Sequence, residues 1–558
     1  MSFIRGLAII TQFAFTLMPA NYALISVFDK TGIVEFAKEL KSLGYSLIST
    51  GGTAKLLKDS NIEVTPVEEI TGTPEMLDGR IKTISMQIEG SLLVDRSNPE
   101  HVKQAEKFGL LNIEIVVCNL YPFEQKNEIE NIDVGGPTML RSAAKNYINV
   151  LPVIDPSDYP EVIEYLKRHP LLDPNVIDDS GLMLRKLEEK DEVFRIELAA
   201  KTFEHISFYD SQVAKFFRKQ TKVIYPDQLT IAGRKVKELR YGENPHQSAS
   251  LYLTPGVISP FSNLTHIAGR ELSMMNVTDI NAGLEAVRIF DEPAAVVIKH
   301  NTPCGIALGT TPSEALQRAI DADPESAFGG IVVMNKSFDK KAAEIVTSFK
   351  DERKGLFDIV AAPGIEEDAQ EILKGVRKSM GVYVLNGIKK PSREDMVVKE
   401  IIGGFTYQTA DWDVESGDNP TSPRLHRAQW EVVTKARPSE DQMRQMEIAW
   451  KFIRRMRSNT VIIMDKVLPQ TTGIGTGQTS RYRAAQMAIE LASEKAAGAV
   501  LASDAFFPFD DVVSLAAKHK IGAIIQSGGS INDKASIEAA DKAGIPMVFT
   551  NERTFWHY

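Results

Sequence analysis

The sequence predicts an α/β protein of more than one domain, and three observations point there. Short apolar runs alternate with helical patterns along the first half of the chain, the rhythm of a parallel sheet whose strands are joined by helices. Several of those runs are continuously apolar, as strands buried on both faces are. The chain has 558 residues, more than one core organises at roughly 100–200 residues per domain.

In chain order, ALISVF (23–28) reads as a strand, and IVEFAKELKSLG (33–44) as a helix with apolar residues at helical spacing, closed by a glycine. YSLIST (45–50) is again strand-like and TAKLLKDS (53–60) helical. IEIVVCNL (113–120) is a continuous apolar strand of the buried kind. From about 157 to 221 the pattern turns helical and charged, a closing segment or connector. A second α/β region begins near Leu229. Its strand candidates are AAVVIK (294–299), GGIVVM (329–334), NTVIIM (459–464), GAVLAS (498–503), IGAIIQ (521–526) and IPMVFT (545–550). No short-period repeat, low-complexity tract or heptad array is visible.

At the amino terminus, residues 1–17 hold an apolar run after Arg5 that is the size of a signal-peptide core. It is too short to span a bilayer as a helix. No small-x-small cleavage site follows cleanly, and Met18-Pro-Ala-Asn opens directly onto the strand-like run from Tyr22. The expectation is an extension ahead of the fold, with Met18 as the functional start, rather than a secretion signal.

Composition narrows the function. A 43% hydrophobic content is ample for several cores and excludes wholesale disorder. With 64 basic against 74 acidic side chains the net charge is −10, which argues against a general nucleic-acid binder. Anionic small substrates stay open, because a few cations and backbone N–H groups suffice to bind a phosphate. The two cysteines, Cys118 and Cys304, form no CxxC pair, so a disulfide scaffold and a cysteine-rich zinc module are excluded. A reducing cytosol is the simplest compartment.

Two strand-to-helix turns look built for a phosphate. Ser49-Thr50-Gly51-Gly52-Thr53 combines glycines that permit close backbone approach with hydroxyls and a helix N-terminus. Ser26-Val27-Phe28-Asp29-Lys30-Thr31-Gly32 does the same one βα unit earlier, with Lys30 as a cation. The plainer reading of either alone is a capped turn. Asp78-Gly79-Arg80-Ile81-Lys82-Thr83 sets two cations beside a turn, and Asn119-Leu120-Tyr121-Pro122-Phe123 comes straight off a buried strand. Ile132-Asp133-Val134-Gly135-Gly136 is a further glycine-rich turn, leading to Arg141 and Lys145, four apart on one helix face. These residues amount to an anion site with Lys, Tyr and Asp available for acid–base work, and solvated cations, a core Tyr and an N-cap Asp are the alternatives.

In the second region, Val297-Ile298-Lys299-His300 ends a strand with a Lys and a His side by side. A cation next door disfavours protonation of the His and suits it to be a neutral base; a His satisfied by backbone is the plainer reading. Pro303-Cys304 resembles the start of a zinc-deaminase PCxxC, but no second Cys and no HxE exist, so zinc fails on ligand count. Gly473-Ile474-Gly475-Thr476-Gly477-Gln478-Thr479-Ser480-Arg481 is neither GxGxxG nor a Walker A loop. Ser503-Asp504-Ala505-Phe506-Phe507-Pro508-Phe509-Asp510-Asp511 is an aromatic turn that suits a flat heterocycle or a hydrophobic loop anchor.

Taken in order, these segments closely resemble the PurH family of bifunctional purine-biosynthesis enzymes, which join IMP cyclohydrolase to phosphoribosylaminoimidazolecarboxamide (AICAR) formyltransferase. The matching stretches are SVFDKTG, STGGTAKLL, TGTPEMLDGRIKT, NLYPF, ENIDVGGPTMLRSAAKN, LRYGENPHQ, VVIKHNTPCG, ESAFGG, GIGTGQTSR, LASDAFFPF and IIQSGGSI, covering nearly everything after residue 21. The resemblance implies a methylglyoxal-synthase-like cyclohydrolase domain over 22–220, after an extension at 1–21. It implies a formyltransferase domain over 221–558 built of two cytidine-deaminase-like subdomains without zinc. It further implies 10-formyltetrahydrofolate as co-substrate, no catalytic metal, a cytoplasmic homodimer, and neither nucleic acid nor membrane as partner.

Carried over residue by residue, Lys299 and His300 would handle protons in formyl transfer and Asn459 would orient or stabilise the formyl centre. Arg240, Tyr241, Asp358, Arg481 and Arg553 would bind the nucleotide, and Phe328, Phe506, Pro508, Phe509 and Asp511 the folate. For ring closure, Lys82, Tyr121, Asp133 and Lys145 match catalytic positions. Ser26, Lys30, Thr31, Ser49, Gly51, Gly52, Thr53 and Arg80 match substrate-binding ones. The sequence departs from the family pattern at several places. Residues 84–91 carry no histidine where the family has two, and Phe28 replaces a usual Ser. Met274-Met275 stands for Tyr-Asn, and Asp510 for a common Arg. The first two departures bear on ring closure. The alternatives are therefore a formyltransferase with a weak or inactive cyclohydrolase domain, and a non-catalytic nucleotide-binding protein.

Overall fold

The computed structural model describes residues 21–74, 76–77, 82–171, 188–353, 355–392, 395–411 and 430–557. Residues 1–20 of the expected extension and Arg80 lie outside the described residues, whereas Asn21, expected in the extension, opens the first strand and pairs with Asn112. The chain divides into two compact units. The first runs to Gly233 and takes in Thr254–Gly256; the second comprises Arg234–Leu253 and the chain from Val257 onward.

The first unit contains strands β1 (Asn21–Val27), β2 (Ser46–Ser49), β3 (Thr65–Pro66), β4 (Asn112–Asn119) and β5 (Leu151–Val153). Its helices are α1 (Ile33–Ser42), α2 (Gly51–Asp59), α3 (Val67–Thr71), α4 (Met86–Leu93), α5 (Pro99–Phe108), α6 (Gly135–Lys145), α7 (Tyr159–Arg168) and α8 (Glu189–Thr221). The sheet order is β3-β2-β1-β4-β5 and every pairing is parallel. The chain winds one way from β1 through β2 to β3 and the other way from β4 to β5. The switch point lies between β1 and β4, where such sheets open a crevice at their carboxyl ends.

Both faces of this sheet are covered, which is why its strands read as continuous apolar runs. Phe36 and Leu40 of α1, Leu57 of α2 and Tyr165 of α7 pack on Ile25 and Val117. Ile88 and Leu92 of α4 and Leu140 of α6 pack on Leu24 and Val116 of the other face. The long helix α8 spans both clusters, with Leu198 in the first and Ile206 and Tyr209 in the second. It packs along β5 and so covers an edge that would otherwise offer unpaired backbone. Pro152 in the middle of β5 is compatible with that edge position, where a missing N–H costs no ladder bond.

The second unit opens with the hairpin β6 (Arg234–Leu239) and β7 (Ala249–Leu253). The sequence then runs β8 (Thr265–Ala268), α9 (Met274–Val287), β9 (Ala294–Lys299), β10 (Thr302–Leu308), α10 (Pro312–Ala322), β11 (Gly330–Met334), α11 (Lys340–Arg353), β12 (Phe357–Ala362), α12 (Glu367–Val376) and β13 (Gly381–Val384). After a hairpin, β14 (Met396–Ile401) and β15 (Gly404–Thr409), the same series recurs. It reads β16 (Glu431–Val432), α13 (Glu440–Ile453), β17 (Val461–Met464), β18 (Thr471–Gly475), α14 (Arg481–Ala492), β19 (Val500–Ser503), α15 (Asp511–Lys518), β20 (Ala523–Gln526), α16 (Asp533–Ala543) and β21 (Met547–Phe549).

The two sheets have one topology. Their orders are β10-β9-β11-β12-β13-β8 and, read in the same sense, β18-β17-β19-β20-β21-β16. In each, a hairpin is followed by an antiparallel neighbour, two parallel strands and an antiparallel edge. This is the pair of like subdomains that the resemblance implied. Between them α9 and α13 build a shared core, in which Leu284 and Val287 join Met446 and Ala449 under Ile298 and Ile462. The outer faces are covered by α10 to α12 and by α14 to α16. Edges β10 and β18 meet through the bridge of Ala307 with Gln470, with Leu308 N donating to Pro469 O at 2.9 Å and Ile306 N to Thr471 Oγ1 at 3.2 Å.

The strand expected over 459–464 begins only at Val461, for a specific reason. Asn459 N donates to Gln478 O at 3.2 Å and Thr460 N donates to Asp504 Oδ2 at 3.2 Å, so both residues are taken up by other partners.

Candidate active site

The β1/β4 switch point of the first unit holds a cavity of about 650 Å³. Its lining brings together Ser26, Lys30, Gly51, Gly52, Thr53, Lys82, Tyr121 and Asp133 from the residues singled out in the sequence. The phosphate-type turns pack on each other. Ser26 Oγ lies 2.8 Å from Thr50 Oγ1, and Lys30 Nζ donates to Thr53 Oγ1 at 3.0 Å and to Val27 O. Burial lowers the Lys30 pKa, opposed by the Asp29 charge beside it. Gly51 has φ +36°, a backbone conformation that favours glycine, and Lys82 Nζ lies 3.5 Å from where a Cβ on Gly51 would stand.

Asp133 is the carboxylate facing Lys82. It accepts from Gly136 N at 2.8 Å, as an N-cap does at the start of α6. A Cβ on Gly136 would stand 2.7 Å from Leu120 Cδ2 and 2.8 Å from Asp133 Oδ2, so a larger residue would displace those side chains. Burial raises the Asp133 pKa, opposed by the Gly136 N–H and by the Lys82 charge. Asp133 N donates to Tyr209 Oη at 2.7 Å, and that hydroxyl donates in turn to Asn131 O at 3.1 Å. Tyr209 thus ties the Asn131–Asp133 turn to α8.

Some residues fall differently from expectation. Ser49 is fully buried and its hydroxyl donates to Ile25 O at 2.7 Å, so it points into the sheet and Thr50 is the hydroxyl beside the cavity. Thr31 and Lys145 are not among the lining residues. Lys145 is in the last turn of α6, roughly 14 Å along the axis from Gly136 at the usual helical rise. Asn119, given no role from sequence, lines the cavity and accepts from Phe28 N at 2.6 Å and Asp29 N at 2.8 Å. It extends the β1/β4 pairing by a side chain and holds the first turn in place.

The departures at 84–91 are absorbed by structure. Ser85 caps α4 by accepting from Ile88 N at 3.1 Å, and Glu89 accepts from the Ser142 hydroxyl. Neither residue lines the cavity, whereas Lys82 and Thr83 do. Phe28 does line it and packs on Tyr121 with ring centroids 4.8 Å apart.

In the second unit, Lys299 pairs with Thr302 across β9 and β10, leaving His300 and Asn301 as a two-residue turn. Both have positive φ, 55° and 61°, the pattern of a tight hairpin that favours Asn and Gly and strains His. Asp279 of α9 holds it by accepting from Asn301 N at 2.6 Å. Burial raises the Asp279 pKa; the Asn301 N–H and the charge of His300 oppose this. The charge that faces His300 is therefore a carboxylate as well as its neighbour Lys299. Lys299 Nζ donates to Phe328 O at 3.0 Å, which links the turn to one of the proposed folate residues.

Asn459, at the carboxyl edge of the second sheet, follows a cis peptide at Ser458-Asn459. Its Nδ2 donates to Gln478 O at 2.9 Å and its Oδ1 accepts from Arg481 Nη2 at 2.7 Å. Arg481 is buried and also donates to Ser503 Oγ at 2.9 Å and to Asp504. Expected at the nucleotide, it is held here by three protein groups. Among the described residues no hydrogen bond joins the Lys299–His300 turn to the Asn459 cluster within the chain.

The remaining candidates stand apart. Arg240 Nη2 donates to Tyr241 Oη at 2.9 Å, and Asp358 accepts from Arg270 Nη2 at 2.8 Å. Arg553 is exposed and stacks over Phe555 at 4.8 Å. Phe328, Pro508 and Phe509 are exposed and Phe506 half-buried, while Asp511 opens α15. Asn532 Nδ2 donates to Pro508 O at 2.6 Å and so holds that aromatic turn. Among the described residues no group of three or more His, Cys, Asp or Glu is placed to hold a metal ion, and no helix is long and apolar enough to cross a membrane.

A lysine–carboxylate cavity at the switch point of a parallel sheet in one unit, and a Lys–His turn in a duplicated α/β unit, define a two-domain α/β enzyme with acid–base groups in both units. Comparison with known proteins narrows that class. The MGS-like domain model matches residues 32–149, and the AICARFT/IMPCHase bienzyme model residues 143–491. The chain is 42% identical over 547 residues to the bifunctional purine biosynthesis protein PurH of Thermoanaerobacter sp. (strain X514), covering 96% of this chain and 100% of that one. It is 42% identical over 545 residues to the PurH of Oceanobacillus iheyensis, covering 96% and 99%. A solved structure titled "Crystal structure of ForH" is 32% identical over 35% of this chain and 96% of its own, with a TM-score of 0.30, too low to compare folds. The chain belongs to the AICARFT/IMPCHase bienzyme family.

Proposed function

We infer that the protein is a bifunctional enzyme of purine synthesis that performs the last two steps to IMP, one in each unit. In residues 221–558, the 5-amino group of AICAR attacks the formyl carbon of 10-formyltetrahydrofolate. The new C–N bond forms as the bond to the folate N10 breaks, the amine loses a proton and N10 gains one. That amine is a weak nucleophile, because its lone pair is conjugated with the ring and carboxamide. His300 takes its proton, Lys299 assists, and Asn459 donates to the formyl oxygen as charge develops there. Arg240, Tyr241, Asp358 and Arg553 are assigned to the nucleotide. Phe328, Phe506, Pro508 and Phe509 are assigned to the folate ring, with Asp511 accepting from the pterin. Arg481 acts through Asn459.

In residues 22–220, the carboxamide nitrogen of formyl-AICAR attacks the formyl carbon and water leaves, closing the ring. Lys82 stabilises the developing oxyanion, while Tyr121 and Asp133 relay protons. A carboxyl whose burial favours the protonated form suits that relay. Ser26, Lys30, Thr50, Gly51, Gly52 and Thr53 hold the 5′-phosphate, and Ser49 supports them from within the sheet.

The observation that carries the reading is the gathering of Lys82, Tyr121 and Asp133 with both phosphate-type turns in one cavity. The same reading includes a cytoplasmic homodimer, as in the family, and no catalytic metal. Sedimentation that found only active monomer would count against the dimer. The test of function is direct. Purified protein is expected to make IMP from AICAR and 10-formyltetrahydrofolate, and from formyl-AICAR without folate. Success in formyl transfer with no folate-free ring closure would leave a formyltransferase with an inactive first unit.

A further inference from the structure

We propose that Asp504 is a positioning residue for formyl transfer, acting through Arg481 on the amide of Asn459. The inference rests on the reading of Asn459 as the group at the formyl centre. Asp504 follows β19 and is 0% exposed. A carboxylate in that position is costly unless it is fully paired. One oxygen pairs with Arg481 Nη1 and the other accepts from Thr460 N at 3.2 Å. Arg481, 7% exposed, passes the arrangement on by donating from Nη2 to Asn459 Oδ1 at 2.7 Å.

The consequence lies in the hydrogen-bond inventory of Asn459. Its amide has one oxygen acceptor and two N–H donors. The oxygen accepts from a guanidinium and one N–H is donated to Gln478 O, so the amide cannot flip and one N–H is left over. A cation on the carbonyl oxygen also polarises the amide and makes the remaining N–H a better donor. A fixed, polarised N–H is what a developing oxyanion requires.

The duplicated half shows which part of this the fold itself needs. Asn335 follows β11 as Asp504 follows β19. Asn335 N donates to Ala294 O at 3.2 Å and its Oδ1 accepts from Ala294 N at 2.8 Å. Asp504 N likewise donates to Thr460 O at 3.2 Å, and its Oδ2 accepts from Thr460 N. A neutral amide oxygen is therefore enough to lock the strand start. Only the half that holds Asn459 has a carboxylate there, and its second oxygen goes to Arg481.

The test is a double-mutant cycle in the full-length protein, with folate-free ring closure as the check that the chain is folded. Asn459→Ala is expected to lower kcat for formyl transfer by about 10²–10³. Asp504→Asn keeps an acceptor for Thr460 N and is expected to lower kcat by about 10–100-fold, with KM for AICAR and folate within about threefold. In the Asn459→Ala background, Asp504→Asn is expected to cost less than about threefold more. An unchanged kcat in the single variant, or an undiminished loss in the Asn459→Ala background, overturns the proposal. Should Asp504→Asn not fold, Arg481→Lys takes its place, with the same loss and the same non-additivity expected and the same outcomes overturning it. If Asn459→Ala alone leaves kcat unchanged, the reading of Asn459 fails instead.

Discussion

The first unit collects its chemistry and the second distributes it. In the first, one parallel sheet sends the loops after β1, β2 and β4 to the same edge, and a single cavity takes residues from each. In the second, two sheets of like topology use opposite ends of corresponding strands. Lys299 and His300 lie where β9 turns into β10, whereas Asn459 lies just ahead of β17. Their positions are set by buried carboxylates, Asp279 for the turn and Asp504 for the Asn459 cluster. The lesson is physical. A switch point brings neighbouring chain turns together without further help, while a duplicated sheet needs long-range partners to hold each functional group.

Independence of the two sites is where this contrast breaks first. Lys82→Ala is expected to lower folate-free ring closure by at least about 10³-fold and to leave formyl transfer within about twofold, followed by the absorbance of each product. His300→Ala is expected to do the reverse, lowering formyl transfer by about 10²–10⁴ with ring closure unchanged. A shared loss in either variant would mean that the units do not work separately. Phe28→Ser probes the cavity lip. Loss of an aromatic pair worth about 0.5–1.5 kcal/mol is expected to change ring closure by about twofold to tenfold and formyl transfer not at all.

The smallest effect concerns stability and pH. Burial raises the Asp133 pKa, so the folded state favours the protonated carboxyl more than the unfolded chain does. The stability linked to that group is complete below the ordinary carboxylate range and is lost as pH rises through the raised value. Asp133→Asn keeps an acceptor for Gly136 N and removes the charge. It is expected to melt about 1–3 °C above the parent protein at neutral pH, with the gap closing as pH falls toward about 4. A gap that widens in acid would reverse the sign of the burial effect. Ring closure in the same variant is expected to fall.

The same contrast explains what could be read in the sequence. The strands and helices of the first unit follow from apolar periodicity, and its site motifs sit on the loops that the parallel sheet aligns. Where residues were misplaced, the period of the strand was decisive. Ser49 and Thr50 are adjacent hydroxyls, and the strand turns the first into the sheet and leaves the second at the cavity. Asn119 was visible as a residue, but its role depends on bringing Phe28 N and Asp29 N to it from some 90 positions away. Tyr209 came from a helix read only as charged and connecting. In the second unit Lys299, His300 and Asn459 stood out through motif resemblance, while Asp279, a carboxylate on an ordinary helix, carried no local signal. Arg481 read, through the resemblance, as a nucleotide-binding residue after a glycine-rich loop, and only the fold shows its bonds to Asp504 and Asn459. The duplication was legible only through the family resemblance, because the two halves share strand order rather than residue spacing.

Ring closure is expected to work in the first unit with its own lysine, although residues 84–91 carry no histidine. The most direct measurement is conversion of formyl-AICAR to IMP, without folate, by the intact protein and by its Lys82→Ala variant. The intact protein is expected to turn over steadily and the variant not above background. No turnover by the intact protein, or equal turnover by both, would contradict this expectation.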